Sequence, residues 1–176
     1  MPGTLNVGGH NIITHSGTSG AGTVAIQDVL QFPAGHIIQT AYGQSTTQTT
    51  INSTTLGSGD STGVTTVITP ISTSNKLLIQ VNLRYWITDG DIGFGTEIHD
   101  GTSIVYTDPV TYTYSRNSDG IERAGGRYNF IAYISPSSAG SPITYTLRAY
   151  KSGSSDTFRV QENGGLSNMV IQEIQQ

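Results

Sequence analysis

Side chains able to do chemistry are few in this chain, and their spacing limits what they could do. The 12 carboxylates are Asp28, Asp60, Asp89, Asp91, Glu97, Asp100, Asp108, Asp119, Glu122, Asp156, Glu162 and Glu173, and only Asp89-Gly90-Asp91 sets two close together. A hard cation needs several converging oxygens, and the intervening glycine permits a tight turn, so this pair is a candidate half-site for calcium. The tripeptide is also the composition of a solvated turn, which is the preferred reading. A glycosidase needs two carboxyl groups facing each other across a cleft, and nothing in the spacing selects such a pair. His10 and His15 fall on opposite faces of an extended strand, while His36 and His99 belong to separate strand candidates. A metal would need a symmetry axis to bring copies of one histidine together. Cysteine is absent, which removes thiol nucleophiles, disulfides and thiolate zinc sites. No serine elbow is read among the scattered Ser, His and Asp residues. The expectation is therefore a protein without enzymatic activity, with no catalytic residue, no cofactor and no metal site.

Composition supports a structural role. Charged residues are 11% of the 176, against about 25% in an average soluble domain, and the net charge is −4. That balance offers no basic footprint for nucleic acid or an anionic membrane, so neither is expected as a partner. The N-terminus lacks the basic and apolar pattern of a signal peptide, and no stretch is apolar enough to span a bilayer, so folding in a cytoplasm is expected. Of 14 aromatic residues 9 are tyrosine, among them Tyr106, Tyr112, Tyr114, Tyr128, Tyr133, Tyr145 and Tyr150. Tyrosine combines rigid area with a hydroxyl, which suits subunit interfaces and sugar-binding surfaces.

The elements that must position these groups are strands. Low Glu, Lys, Ala and Leu with abundant Thr, Ile, Val and Tyr disfavours helix and favours sheet. Residues 1–22 hold six glycines and no charge, and are read as an extended N-terminal arm over 1–32 whose anchors are Leu5, Val7, Ile12 and Ile13. Phe32-Pro33-Ala34-Gly35 is a turn signal, and a domain is placed over 33–176. Short strand candidates divided by turns follow, eight to ten in all, as expected of a sandwich or jelly roll. The clearest has Leu77, Ile79, Val81, Leu83 and Tyr85 on one face, which must be buried. Other candidates are 36–42, the Thr-rich 46–56, 63–71 ending at Pro70, 110–114 after Pro109, and alternating runs through Tyr128 to Ile134, Ile143 to Ala149 and 169–173. Asp100-Gly101 suggests a two-residue type I′ hairpin between 92–99 and 103–107. The fold class expected is all-β, a jelly-roll-type antiparallel β-sandwich with an extended N-terminal arm.

Four segments carry a family resemblance: Phe32-Pro33-Ala34-Gly35-His36-Ile37-Ile38-Gln39, the Ser/Thr-rich 46–55, Ile68-Thr69-Pro70-Ile71-Ser72-Thr73-Ser74-Asn75-Lys76-Leu77-Leu78-Ile79-Gln80-Val81, and Leu166-Ser167-Asn168-Met169-Val170-Ile171-Gln172-Glu173-Ile174. Their order resembles the C-terminal jelly-roll domain of virion structural proteins of tailed bacteriophages, marine and cyanobacterial phages in particular. The resemblance implies a trimeric sandwich displayed on a virion and supplies no catalytic residues. Lacking the long shaft of a tail fibre, the chain is expected to be a capsid decoration or cement protein, a homotrimer anchored by its arm to the major capsid protein or another virion protein. The alternative is a short tail-fibre tip, a lectin-like receptor-binding protein contacting a host surface glycan. A carbohydrate-binding module and a fibre enzyme of the endosialidase or lyase kind rank below these.

Overall fold

The computed structural model describes residues 3–7, 10–16, 23–26, 33–88, 93–112, 123–153 and 157–176. The chain divides into two compact units, Met1–Pro33 and Ala34–Gln176. In the first, β1 (Gly3–Val7), β2 (His10–Ser16) and β3 (Thr23–Ile26) form one antiparallel sheet in the order β1-β2-β3. Leu5 stands opposite Ile13, and the register then skips Ile12, a bulge. The expectation of an extended arm is thus corrected. Its apolar pairs are too few for a core, but ladder hydrogen bonds need only backbone, and Thr14, Ile13, Val24 and Ile26 are good strand formers.

The second unit is an all-β sandwich of two antiparallel sheets. Its strands are β4 (Ile37–Ser45), β5 (Thr49–Ile51), β6 (Asp60–Ile68), β7 (Lys76–Thr88), β8 (Gly93–His99), β9 (Ile104–Tyr112), β10 (Arg123–Ile134), β11 (Ile143–Lys151), β12 (Thr157–Val160) and β13 (Ser167–Ile174). One sheet runs β4-β13-β7-β12-β5 with β10 also on β7, and the other runs β6-β11-β8-β9. The eight long strands therefore divide between the sheets as β4-β13-β7-β10 facing β6-β11-β8-β9, the order of two interlocked Greek keys, a jelly roll. Strand β7 is the axis. Along one edge β10 pairs with it from Leu77 to Thr88, and along the other β13 pairs with residues 76–82 and β12 with 85–88. At the hand-over the Arg84 N–H donates to Ser167 Oγ (2.9 Å) and its carbonyl accepts from Gln161 N (3.0 Å), so no backbone group of β7 is orphaned there.

Alternation in β7 does what its sequence demands: Leu77, Ile79, Val81 and Leu83 are 3% exposed or less and face Val64, Ile98, Tyr145 and Leu147 of the opposite sheet in one core. Phe94 ties the sheets together, its ring stacked on Phe158 at 4.8 Å and edge-on to Tyr128 at 5.1 Å.

Several boundaries differ from expectation. Only Thr49–Ile51 of the Thr-rich run is strand, while Asp60 and Ser61, expected in a turn, begin β6. Strand β9 runs through Pro109 where a break was expected. Thr96 pairs with Asp108 but Phe94 with Thr111, so Pro109 and Val110 form a bulge in an edge strand, where a missing N–H costs no ladder bond. Asp100-Gly101 is not a two-residue turn. The loop spans residues 100–103 between paired His99 and Ile104, and only Gly101 takes a positive φ (+95°).

Candidate functional site

The outward positions of the larger sheet are set by the same alternation. Residues 76, 78, 80, 82, 84 and 86 of β7 point away from the core, and registers carry their rows across neighbouring strands. One row reads Asn129, Asn82, Asn168, Gln44 across β10, β7, β13 and β4, so four amides stand side by side over roughly 14 Å, three inter-strand steps. Asn82 Nδ2 donates to Asn129 Oδ1 (2.6 Å), and Asn82 Oδ1 accepts from Arg127 Nη1 (2.5 Å). The next row is Ile131, Gln80, Val170, Tyr42, and the one beyond is Tyr133, Leu78, Gln172, Thr40. Gln80 Nε2 donates to Gln172 Oε1 (3.4 Å) and Tyr42 Oη to Gln44 Oε1 (2.8 Å). Toward the other end, Arg127 stands beside Arg84, and Trp86 lies between Gly125 and Arg159. A Cβ on Gly125 would come within 2.3 Å of Trp86 Cε3, so glycine is what lets the indole lie over β10.

Among the described residues this face is open and its charges are mostly basic. Tyr42 and Tyr133 are each 54% exposed and Ile131 62%. Lys76, Arg84, Arg127 and Arg159, four of the eight lysines and arginines in the sequence, occupy its outward positions. Among the described acids, Asp60, Glu97 and Asp108 lie on strands of the other sheet and Asp100 in its β8–β9 turn, while Glu173 points into the core. Only Glu162 adjoins the face, 3.3 Å from Arg159. Arg84 Nε has no hydrogen-bond partner among the described residues.

The groups singled out in the sequence are dispersed. Asp89 and Asp91 lie outside the described residues, so the calcium reading is untouched. His10 pairs in register with Val7, and His15 with Gly3 and Val24. His36 precedes β4 instead of lying in a strand, and His99 ends β8. Among the described residues no three of His, Asp and Glu gather as metal ligands would. Glu97 is fully buried: it accepts the Gly57 N–H and lies 3.5 Å from His99 Nε2. Buried and bonded to Gly57, this carboxylate braces the loop between β5 and β6.

One motif was missed. Gly59-Asp60-Ser61-Thr62-Gly63 has the Gly-x-Ser-x-Gly spacing, but it lies along β6 with Asp60 bonded to the N–H groups of Asn52 and Ser53. An elbow requires a strand-to-helix turn, and here the strand simply continues. The tyrosines divide by role: Tyr145 is fully buried, and burial together with the nearby Asp100 charge pushes its hydroxyl up to about 12. Tyr128 bonds Asp108, Tyr106 stacks on Phe130, and Tyr42 and Tyr133 face solvent. Side chains of Tyr112 and Tyr114 lie outside the described residues, as do those of Leu5, Val7, Ile12 and Ile13.

No family model and no curated protein matches the chain. Among solved structures it is similar to dimeric latent PorU from Porphyromonas gingivalis, with 14% identity and a TM-score of 0.37, over 84% of this chain and 14% of that one. The chain thus spans a small part of that protein's length, and a likeness at this level carries no argument about function.

Proposed function

We propose that this chain is a non-enzymatic structural protein of a bacteriophage virion, a capsid decoration protein displayed as a homotrimer and held to the particle through its N-terminal unit. The observation that carries this reading is the division into a small three-stranded unit, Met1–Pro33, and a sandwich, Ala34–Gln176, that holds the buried core of the described residues. A head that buries its own apolar residues is free to be displayed, and short strands with open edges are suited to pairing with a neighbour's backbone. Localisation to the virion and attachment to the major capsid protein belong to the same proposal. Its test is reconstitution: purified protein added to particles that lack it should restore a regular surface density by electron microscopy, with three copies per feature.

The second reading, a short tail-fibre tip or lectin-like receptor-binding protein, is favoured by the outward face of the larger sheet. Exposed Tyr42 and Tyr133 beside a row of amides are the side chains that bind sugars, which offer hydroxyl groups on rings with apolar faces.

A further inference from the structure

We propose that the outward face of the β4-β13-β7-β10 sheet binds an acidic polysaccharide, a chain of sugars carrying carboxylates at intervals. The proposal deepens the receptor-binding reading and rests on it.

Charge argues for an acidic ligand. The protein as a whole is acidic, yet Lys76, Arg84, Arg127 and Arg159 are gathered here while the described acids, Glu162 apart, face elsewhere. Among the described residues this segregation leaves a local positive field on one face, which draws anions to it. Arg127 has spent Nη1 on Asn82 and the Leu166 carbonyl (3.2 Å), which fixes its plane and leaves its other donors for a carboxylate. Arg84 stands beside Arg127 in the same row and adds its charge there.

The neutral groups argue that the anion is a sugar chain. Nucleic acid carries a charge about every 1.7 Å of duplex and requires a dense basic track. Here the three arginines gather at one end of the face and Lys76 stands at the other, and between them lie amides, which both donate and accept and so match hydroxyl groups. A protein partner would favour an apolar centre, whereas the two central strands β7 and β13 present Asn82, Gln80, Asn168 and Gln172 with only Leu78 and Val170 apolar among them. From the Trp86 row to the Leu78 row the face extends about 26 Å along β7, eight residues of strand, with aromatic rings at both ends. The ligand is therefore a polymer and not a single sugar.

Trp86 is the only tryptophan in the sequence and lies on this face, so its fluorescence reports occupancy. The full chain is titrated with alginate, hyaluronate and polysialic acid, and with dextran as a neutral polymer, at low and physiological salt. The expected result is a saturable change in Trp86 emission with at least one acidic polymer, none with dextran, and weakening as salt rises. Arg127→Gln combined with Arg159→Gln should weaken binding by roughly tenfold or more, and Tyr42→Ala should weaken it without touching charge. Val67→Ser, on β6 of the other sheet, should leave it unchanged, and circular dichroism of each variant establishes that the fold is kept. Binding of dextran at the same face would overturn the acidic ligand and spare the lectin-like reading. No binding of any polymer would overturn both, as would concealment of Trp86 from iodide by a self-association that Ile131→Glu abolishes.

Discussion

Two buried carboxylates show how single residues hold the loops of this sandwich. Asp100 is 7% exposed. Burial alone would raise its pKa, but the Ser103 and Thr102 N–H groups (2.9 and 3.0 Å) and the Thr102 hydroxyl (2.8 Å) outweigh that and hold the carboxyl well below the usual range. A carboxyl depressed in the folded state stabilises above its unfolded value of about 4, and that contribution disappears as pH falls through the folded value. Asp100→Asn should therefore lower stability at pH 7, with the gap to wild type beginning to narrow below about pH 4 and continuing to narrow down to pH 2. Urea unfolding at pH 7, 4, 3 and 2 checks this, and a gap constant across the series would refute it. Glu173 is fully buried and accepts from Ile71 N (2.9 Å), Ser72 N (3.3 Å), Asn75 Nδ2 (2.6 Å) and Gln39 Nε2. Removing the carboxylate strands these donors, so Glu173→Ala should cost about 3 kcal/mol in urea unfolding with an unchanged m-value. A loss under about 0.5 kcal/mol would show that the 69–75 loop finds other acceptors.

At the scale of elements, β7 was legible because its alternation is unbroken for ten residues and each inward residue, from Leu77 to Leu83, became core. Leu83→Ala should then cost about 2–5 kcal/mol, while exposed Thr47→Ala should lie within about 0.5 kcal/mol of wild type. Thermal melts of the two variants decide, and equal small shifts would sink the core assignment. Pro109 misled because a proline's meaning depends on strand position: it is a breaker in a central strand and harmless at an edge bulge, and no single sequence says which strand is the edge. The amide row was illegible for a related reason. Gln44, Asn82, Asn129 and Asn168 sit on four strands far apart in sequence, and only register makes them neighbours. Propensity reads one strand at a time, whereas a binding face is a property of pairing. The glycine at position 43 carried an unread signal of the same kind: a Cβ there would meet the Thr65 carbonyl oxygen at 1.8 Å, marking where β4 passes closest to β6.

At the scale of the whole molecule, the division at Pro33 makes the two units, the sandwich being the head, separable by experiment. Among the described residues the buried hydrophobic core runs from Ile51 to Ile171, all within the second unit. Its start is fastened internally, with Gly35 N donating to the Gln175 carbonyl (2.8 Å) and Gln175 N to the His36 carbonyl (2.9 Å). A chain beginning at Ala34 keeps both bonds. It should retain its β-rich circular dichroism and a cooperative melt within about 3 °C of the full chain, a shift worth under 1 kcal/mol for a domain of this size. The first unit has strands of five, seven and four residues, near the lower limit for a sheet that must stabilise itself, and a partner's strand edge would extend it. The head alone should therefore fail to bind particles that lack the protein, while the full chain binds them. Cosedimentation of both with such particles is the measurement. If the head unfolds, the first unit belongs to the folding domain, and if it cosediments as well as the full chain, the docking surface lies on the sandwich and the anchoring role of Leu5, Val7, Ile12 and Ile13 falls.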